Sequence, residues 1–199
     1  IFATGNEGKM KEIRMILADL QVPVLSMKEA GLQTEVEENG KSFAENADIK
    51  ATAIQKLSPE DIVLADDSGL EIDALNGEPG IYSARYMGED TSYRIKNANL
   101  VERLHGVPDE KRTARFVCAI SAALPGGTIL RSRGTIEGRI GYEERGENGF
   151  GYDPIFYLPE YGCSTAELDP ETKNRLSHRG KALEAIKEQL RPILEEGNR

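Results

Sequence analysis

The sequence has no tryptophan, only two cysteines and only two histidines among its 199 residues. Cys118 and Cys163 stand far apart in no metal-ligand spacing. With His105 and His178 they make too thin a set for a structural zinc site, which takes about four such ligands. So few cysteines fit a reducing compartment, and the expected location is cytoplasmic. No apolar run approaches the roughly 18 residues of a membrane span. The opening IFA passes directly into polar residues without a signal-peptide pattern, so no membrane partner is expected. A basic tract is missing as well. The formal net charge is −9, which repels nucleic acid as a whole and removes it from the expected partners. An anionic substrate would need local cations or a bound metal on such a chain.

What is present is ordinary in amount: 39% hydrophobic and 30% charged residues, as in a soluble globular protein. No repeat, low-complexity tract or long linker divides the chain, so a single domain over 1–199 is expected. IFA reads as the end of a strand and TGNEGK as a turn. Met10, Ile13, Ile16, Leu17 and Leu20 then recur at helical spacing. A second helix is expected from about Ser42 to Leu57, followed by a strand DIVLA. LEIDAL alternates like a separate strand and NGEPG punctuates it. Thr91 or Ser92 caps a helix ending near Leu104. TARFVCAISAAL, PGG and TILRSRGTIEGRI form a long hairpin. PIFYL follows a glycine-rich loop. Asp169-Pro170 opens a short helix, and Ser177 caps a last one. Strands and helices mixed around a long antiparallel hairpin indicate an α/β fold with a mixed sheet.

Four segments could carry chemistry. ATGNEGKMKE sets a glycine turn before a helix N-terminus, where backbone N–H groups and the helix dipole favour an anion. Lys9 in the first turn opposes that dipole but suits a phosphate. The glycine spacing is too short for a P-loop, and an ordinary capped helix remains the alternative. In SFAENADIKATAIQKL, Phe43, Ala47, Ile54 and Leu57 share a face with Lys50. That lysine either snorkels to solvent or faces an anion. Upstream, EVEENG offers Glu35, Glu37 and Glu38 as a solvated loop or as metal ligands. IVLADDSGLEID ends an apolar strand on Asp66 and Asp67, which point to opposite faces. One could enter a cleft beyond the strand's carboxyl end and bind Mg²⁺, which takes one or two carboxylates, waters and phosphates. An Asp-Ser-Gly turn is the other reading. A haloacid-dehalogenase-type site would need a second Asp two residues after the nucleophile, and Ser68-Gly69 stands there instead. Lastly, ENGFGYDPIF places Phe150 and Tyr152 between glycines beside Asp153, able to stack on a base and accept its N–H groups, or merely to anchor the loop. KNRLSHRGKA puts Lys173 before, and His178 and Arg179 inside, the first turn of the last helix.

TGNEGKMKEI, SFAENADIKA, ADDSGLEIDALNGEPGIYSARY, GFGYDPIF and SHRGKAL, in this order, resemble the inosine triphosphate pyrophosphatase family, over nearly the whole chain. The resemblance implies a long curved mixed β-sheet flanked by helices, two lobes around a deep central cleft, and a homodimer. It implies Mg²⁺-dependent hydrolysis of ITP, dITP and XTP to the monophosphate and pyrophosphate. It matches Thr4, Gly5, Asn6, Glu7, Gly8 and Lys9 to the triphosphate-binding turn and Lys50 to a substrate-contacting lysine. Glu38 and Asp67 match metal ligands, with Glu37 an alternative to Glu38, and Asp67 is also the expected proton acceptor. Ser68 matches a position beside the substrate, and Phe150, Gly151, Tyr152, Asp153, Lys173, His178 and Arg179 match the base pocket. A related pyrophosphatase of the septum-inhibitor type, acting on pyrimidine or modified nucleotides, and a non-catalytic nucleotide sensor are the rivals.

Overall fold

The computed structural model describes residues 1–197. Its first helix, α1 (Glu7–Leu17), starts where Asn6 in an extended conformation accepts the Lys9 N–H through its side chain, the usual way of satisfying a free amide at a helix start. Met10, Ile13 and Leu17 are its buried face; Leu20 falls in a 3-10 turn, Ala18–Leu20, after the helix has ended. Phe2 forms single parallel bridges to Ser26 and to Leu64 in place of a regular strand. The parallel part of the fold is thus confined to isolated bridges. Helix α2 (Phe43–Leu57) begins after Ser42, whose side chain accepts from Glu45 N. It buries Asn46, Ala47, Ala51 and Ile54, while Leu57 is exposed.

The largest departure from expectation is β1 (Val63–Ile72), one unbroken ten-residue strand. DIVLA and LEIDAL are its two halves, and Asp66-Asp67-Ser68-Gly69 is its middle, neither its end nor a turn. The apolar pattern breaks there on both faces, with Asp66 and Ser68 on one and Asp67 on the other. Strand β2 (Thr113–Ala123) and β3 (Ile129–Ile140) form the expected hairpin across the glycine turn, with Leu124 N donating to Thr128 O. β4 (Phe156–Leu158) and β5 (Cys163–Ser164) complete an open sheet of order β1-β2-β3-β4-β5. β3 to β4 and β4 to β5 are antiparallel, in register at Ile140–Phe156 and Leu158–Cys163. Helices α3 (Tyr93–Arg103), α4 (Pro170–Leu176) and α5 (His178–Glu196) complete the α/β fold, with Ser92 and Asp169 capping the first two. No helix among the described residues is long and apolar enough to cross a membrane.

The chain forms two compact units. Unit 1 contains Ile1–Asp67, Cys118–Gly134 and the chain from His178 onward; unit 2 contains Ser68–Val117 and Thr135–Ser177. Each has its own core. In unit 1, Phe2, Met10, Ile13, Leu64, Ile120, Leu183 and Ile186 pack together. Gly134 admits α5 to this unit, since a Cβ there would stand 2.2 Å from the His178 carbonyl oxygen and 2.7 Å from Ala182 N. In unit 2, Leu70, Leu100, Phe116, Ile136, Ile155 and Phe156 form the core. The buried Arg112 guanidinium ties it together by donating to the carbonyls of Leu104, Ile140 and Gly141 at 2.8–2.9 Å.

Candidate active site

Unit 1 collects the phosphate and metal candidates. In the turn before α1, Thr4 is buried and its hydroxyl accepts from Asn6 N at 3.1 Å; Gly5, Asn6, Glu7 and Gly8 are exposed. Lys9 reaches back from the first helical turn, its Nζ 3.7 Å from Asp66 Oδ2. Strand alternation sends Asp66 and Asp67 in opposite directions, and they have different neighbours. Asp66 is buried between Lys9 and Arg179, whose Nε stands 3.7 Å from the same carboxylate oxygen. Asp67 is half-buried and accepts from Asn46 Nδ2 at 3.0 Å. Burial, reinforced by the nearby Glu38 and Asp66 carboxylates, pushes the Asp67 carboxyl up to about 7, against the weaker pull of Asn46 and Lys50.

Asn46 is the residue that sequence reading missed. Its Oδ1 accepts from Gly40 N at 2.8 Å while its Nδ2 donates to Asp67, so one buried amide couples the acidic loop to the strand carboxylate. Gly40 is required at that contact, because a Cβ there would meet Asn46 Oδ1 at 2.7 Å. The sequence signal was present: an asparagine one position from the buried stripe of an amphipathic helix. In the loop, Glu37 is exposed, whereas Glu38 is half-buried with Oε1 4.0 Å from Lys50 Nζ. Lys50 faces this acidic pocket. Glu38 is close enough for its charge to act on Asp67, so these are two carboxylates that could hold a divalent ion. Among the described residues there is no cluster of three or more His, Cys, Asp or Glu arranged for a metal. A hard ion such as Mg²⁺ needs only one or two carboxylates and completes its shell with water and phosphate oxygens.

His178 and Arg179 also belong to unit 1, at the start of α5. Arg179 is buried and donates from Nη1 to Glu12 Oε2 at 3.3 Å, besides its approach to Asp66.

Unit 2 contains the aromatic loop. Phe150 is exposed, Tyr152 is buried with its ring edge-on to Tyr93 at 5.1 Å, and Gly151 holds a left-handed φ of 65°. Asn97 Nδ2 donates to the Gly151 carbonyl at 3.2 Å. Asp153 is buried and engaged on both oxygens. Oδ2 accepts from Phe150 N at 2.9 Å and Lys173 Nζ at 2.6 Å, and Oδ1 accepts from Thr165 Oγ1 at 2.8 Å. The aspartate shapes the loop from within; the group left exposed is Phe150, with the largely buried Lys173 Nζ 4.7 Å from its ring centroid. Ser68 lies in β1 at the first position of unit 2.

The Ham1 family model matches residues 1–189 of this chain. The chain belongs to the Ham1 family. Among Ham1-family relatives, the dITP/XTP pyrophosphatase of Desulforamulus reducens is 51% identical over 190 residues, covering 96% of this chain and 94% of its own. That of Exiguobacterium sibiricum is 47% identical, covering 98% of each. Among solved structures, the Ham1 protein of Staphylococcus aureus aligns over 100% of this chain and 99% of its own, at 40% identity and a TM-score of 0.85. The Ham1 fold therefore accounts for the whole chain, and the two residue groups above lie within it.

Proposed function

We propose that this protein hydrolyses non-standard purine nucleoside triphosphates (ITP, dITP and XTP) to the monophosphate and pyrophosphate, removing them from the nucleotide pool. The observation that carries the reading is Asp67: a half-buried carboxylate in mid-strand, oriented by Asn46, bordered by Glu38 and Lys50, with a proton affinity raised to about 7. A carboxylate tuned to neutral pH is matched to accepting a proton from water. Mg²⁺ held by Asp67 and Glu38 would neutralise phosphate charge. Lys9 and Lys50 bind and orient the triphosphate, and the turn Thr4–Gly8 offers it backbone N–H groups. Asp67 orients a water and takes its proton as the water oxygen bonds to the α-phosphorus. The α-phosphorus–oxygen bond to the β-phosphate breaks, and pyrophosphate leaves with the electron pair. Within unit 2, the exposed Phe150 ring is a face on which a purine could stack, and Lys173 is a donor suited to a keto oxygen.

The family resemblance and the names of the relatives support this substrate class; that the protein acts as a homodimer in the cytoplasm is part of the proposal. Incubation with ITP and Mg²⁺ should release pyrophosphate and no orthophosphate. A site built to donate to a keto oxygen rejects an analogue lacking it by up to about 10⁴ in kcat/KM, so ATP should be a poor substrate. Equal kcat/KM for ATP and ITP, or release of orthophosphate, would overturn the reading.

A further inference from the structure

The charges of unit 1 form a chain that ends on the helix where it begins. Glu12 Oε2 accepts from Arg179 Nη1 at 3.3 Å, Arg179 Nε stands 3.7 Å from Asp66 Oδ2, and that oxygen stands 3.7 Å from Lys9 Nζ. The signs alternate and sum to zero. Lys9 and Glu12 are three residues apart on α1, so they project from the same face. Side-chain exposure is 11% at Glu12, 4% at Arg179 and 1% at Asp66, and rises to 25% only at Lys9. Two buried charges and a mostly buried one thus lead to a single, more accessible ammonium. Buried ion pairs are a weak route to stability, because desolvation offsets their attraction. Glu12 Oε1 is moreover buried with no hydrogen-bond partner, which costs more. An arrangement that stabilises the fold so poorly fits a role in placing its exposed end.

We propose that Glu12 is a positioning residue for Lys9, acting through Arg179 and Asp66. By sharing the guanidinium, Glu12 keeps Arg179 from neutralising Asp66 alone. Asp66 then retains the charge that holds the Lys9 ammonium at the mouth of the Thr4–Gly8 turn, where it meets a phosphate. Without the Glu12 carboxylate the four groups carry a charge of +1 and Lys9 loses its counter-ion to Arg179. The inference deepens the reading of that turn as a triphosphate site and rests on it.

The test is calorimetric binding of inorganic tripolyphosphate with Mg²⁺, which requires no turnover. Glu12→Gln should weaken binding about tenfold, and Lys9→Met should weaken it more. The double variant should match Lys9→Met within twofold, because Glu12 works only through that ammonium. Glu12→Asp, which keeps the charge, should lose two- to fivefold and serves as the measurement if the glutamine variant does not fold. Wild-type affinity in Glu12→Gln or Glu12→Asp, additive losses in the double variant, or no tripolyphosphate binding by the wild type would each overturn the proposal. Absence of pyrophosphate release from ITP by a wild-type protein that shows the expected cycle would sink the hydrolytic reading and leave the positioning role standing.

Discussion

Two aspartates, the half-buried Asp67 of unit 1 and the buried Asp153 of unit 2, have been given opposite surroundings. Asp153 in unit 2 receives an amide from Phe150, an ammonium from Lys173 and a hydroxyl from Thr165. Asp67 in unit 1 receives one amide, from Asn46, and has two other carboxylates, Glu38 and Asp66, close enough to raise its proton affinity. A saturated carboxylate fixes geometry; an undersupplied one retains a demand for a proton or a cation. On the proposed function, the contrast would separate recognition from chemistry. The aromatic loop of unit 2 is built in advance around Asp153, while the strand centre of unit 1 holds charge in reserve.

Removing the charge from each aspartate region should therefore give different phenotypes. Asp67→Asn keeps size and the Asn46 contact but cannot accept the proton. A general base contributes about 10²–10⁴ in rate, so kcat should fall by at least about 10³ with the fold intact by circular dichroism. Normal kcat in this variant would erase the distinction between the two aspartates.

The same substitution should stabilise the metal-free protein, with a defined pH dependence. The Asp67 carboxyl titrates near 7 when folded, against 3.8 for an unperturbed aspartate. Below pH ~4 it is protonated in both states and costs nothing. Between ~4 and ~7 only the unfolded chain releases the proton, so stability falls as pH rises, and above ~7 the full penalty applies. About three units correspond to up to about 4 kcal/mol. The melting temperature of Asp67→Asn should exceed that of the wild type clearly at pH 8 and little at pH 4.5, in chelator. Equal differences at both pH values would place the carboxylate in a well-solvated or well-paired state.

A smaller effect is expected in unit 2. Gly149 has φ +74°, and a Cβ there would stand 2.3 Å from Asp153 Oδ2 and 2.9 Å from Lys173 Nζ. Gly149→Ala must move the pair that shapes the loop, and a left-handed alanine adds roughly 1 kcal/mol. KM for ITP should rise about tenfold while kcat changes less than threefold. A fall in kcat with unchanged KM would mean that this loop participates in the chemistry.

Much of this division was legible in the residues. Helices α1 and α2 were legible through the spacing of their apolar residues and α3 through a Thr91 or Ser92 cap, because caps and amphipathic faces are local properties, whereas the Asn6 cap of α1 was read only as part of a turn. The hairpin β2–β3 was legible from its β-branched runs around a glycine turn. β1 was not, because Asp66-Asp67-Ser68-Gly69 has the composition of a turn, and only pairing with neighbouring strands makes it extended. Side-chain commitments were equally hidden. Arg179 is turned to Glu12 and Asp66, and Asp153 is closed by Lys173 and Thr165, through contacts between residues far apart in sequence.

The least effect should come from breaking charge pairs that neither aspartate touches. Asp19 in unit 1 faces Lys187 at 3.2 Å and Arg191 at 3.2 Å, and both hold its carboxyl below the usual aspartate range, through hydrogen bonds first and charge second. Yet Asp19 is exposed, and solvent screening leaves such surface pairs with little net effect on stability. Lys187 keeps Glu184 at 2.8 Å and Arg191 keeps Glu188 at 3.2 Å, so neither cation is stranded by the loss. Asp19→Asn should leave kcat and KM for ITP unchanged and shift the denaturation midpoint by an amount near the error of the measurement, with any remaining difference vanishing at about 1 M salt. A larger, salt-resistant loss would mean that the α1–α5 contact depends on this carboxylate, and that charge placement in unit 1 matters for stability well beyond the strand centre.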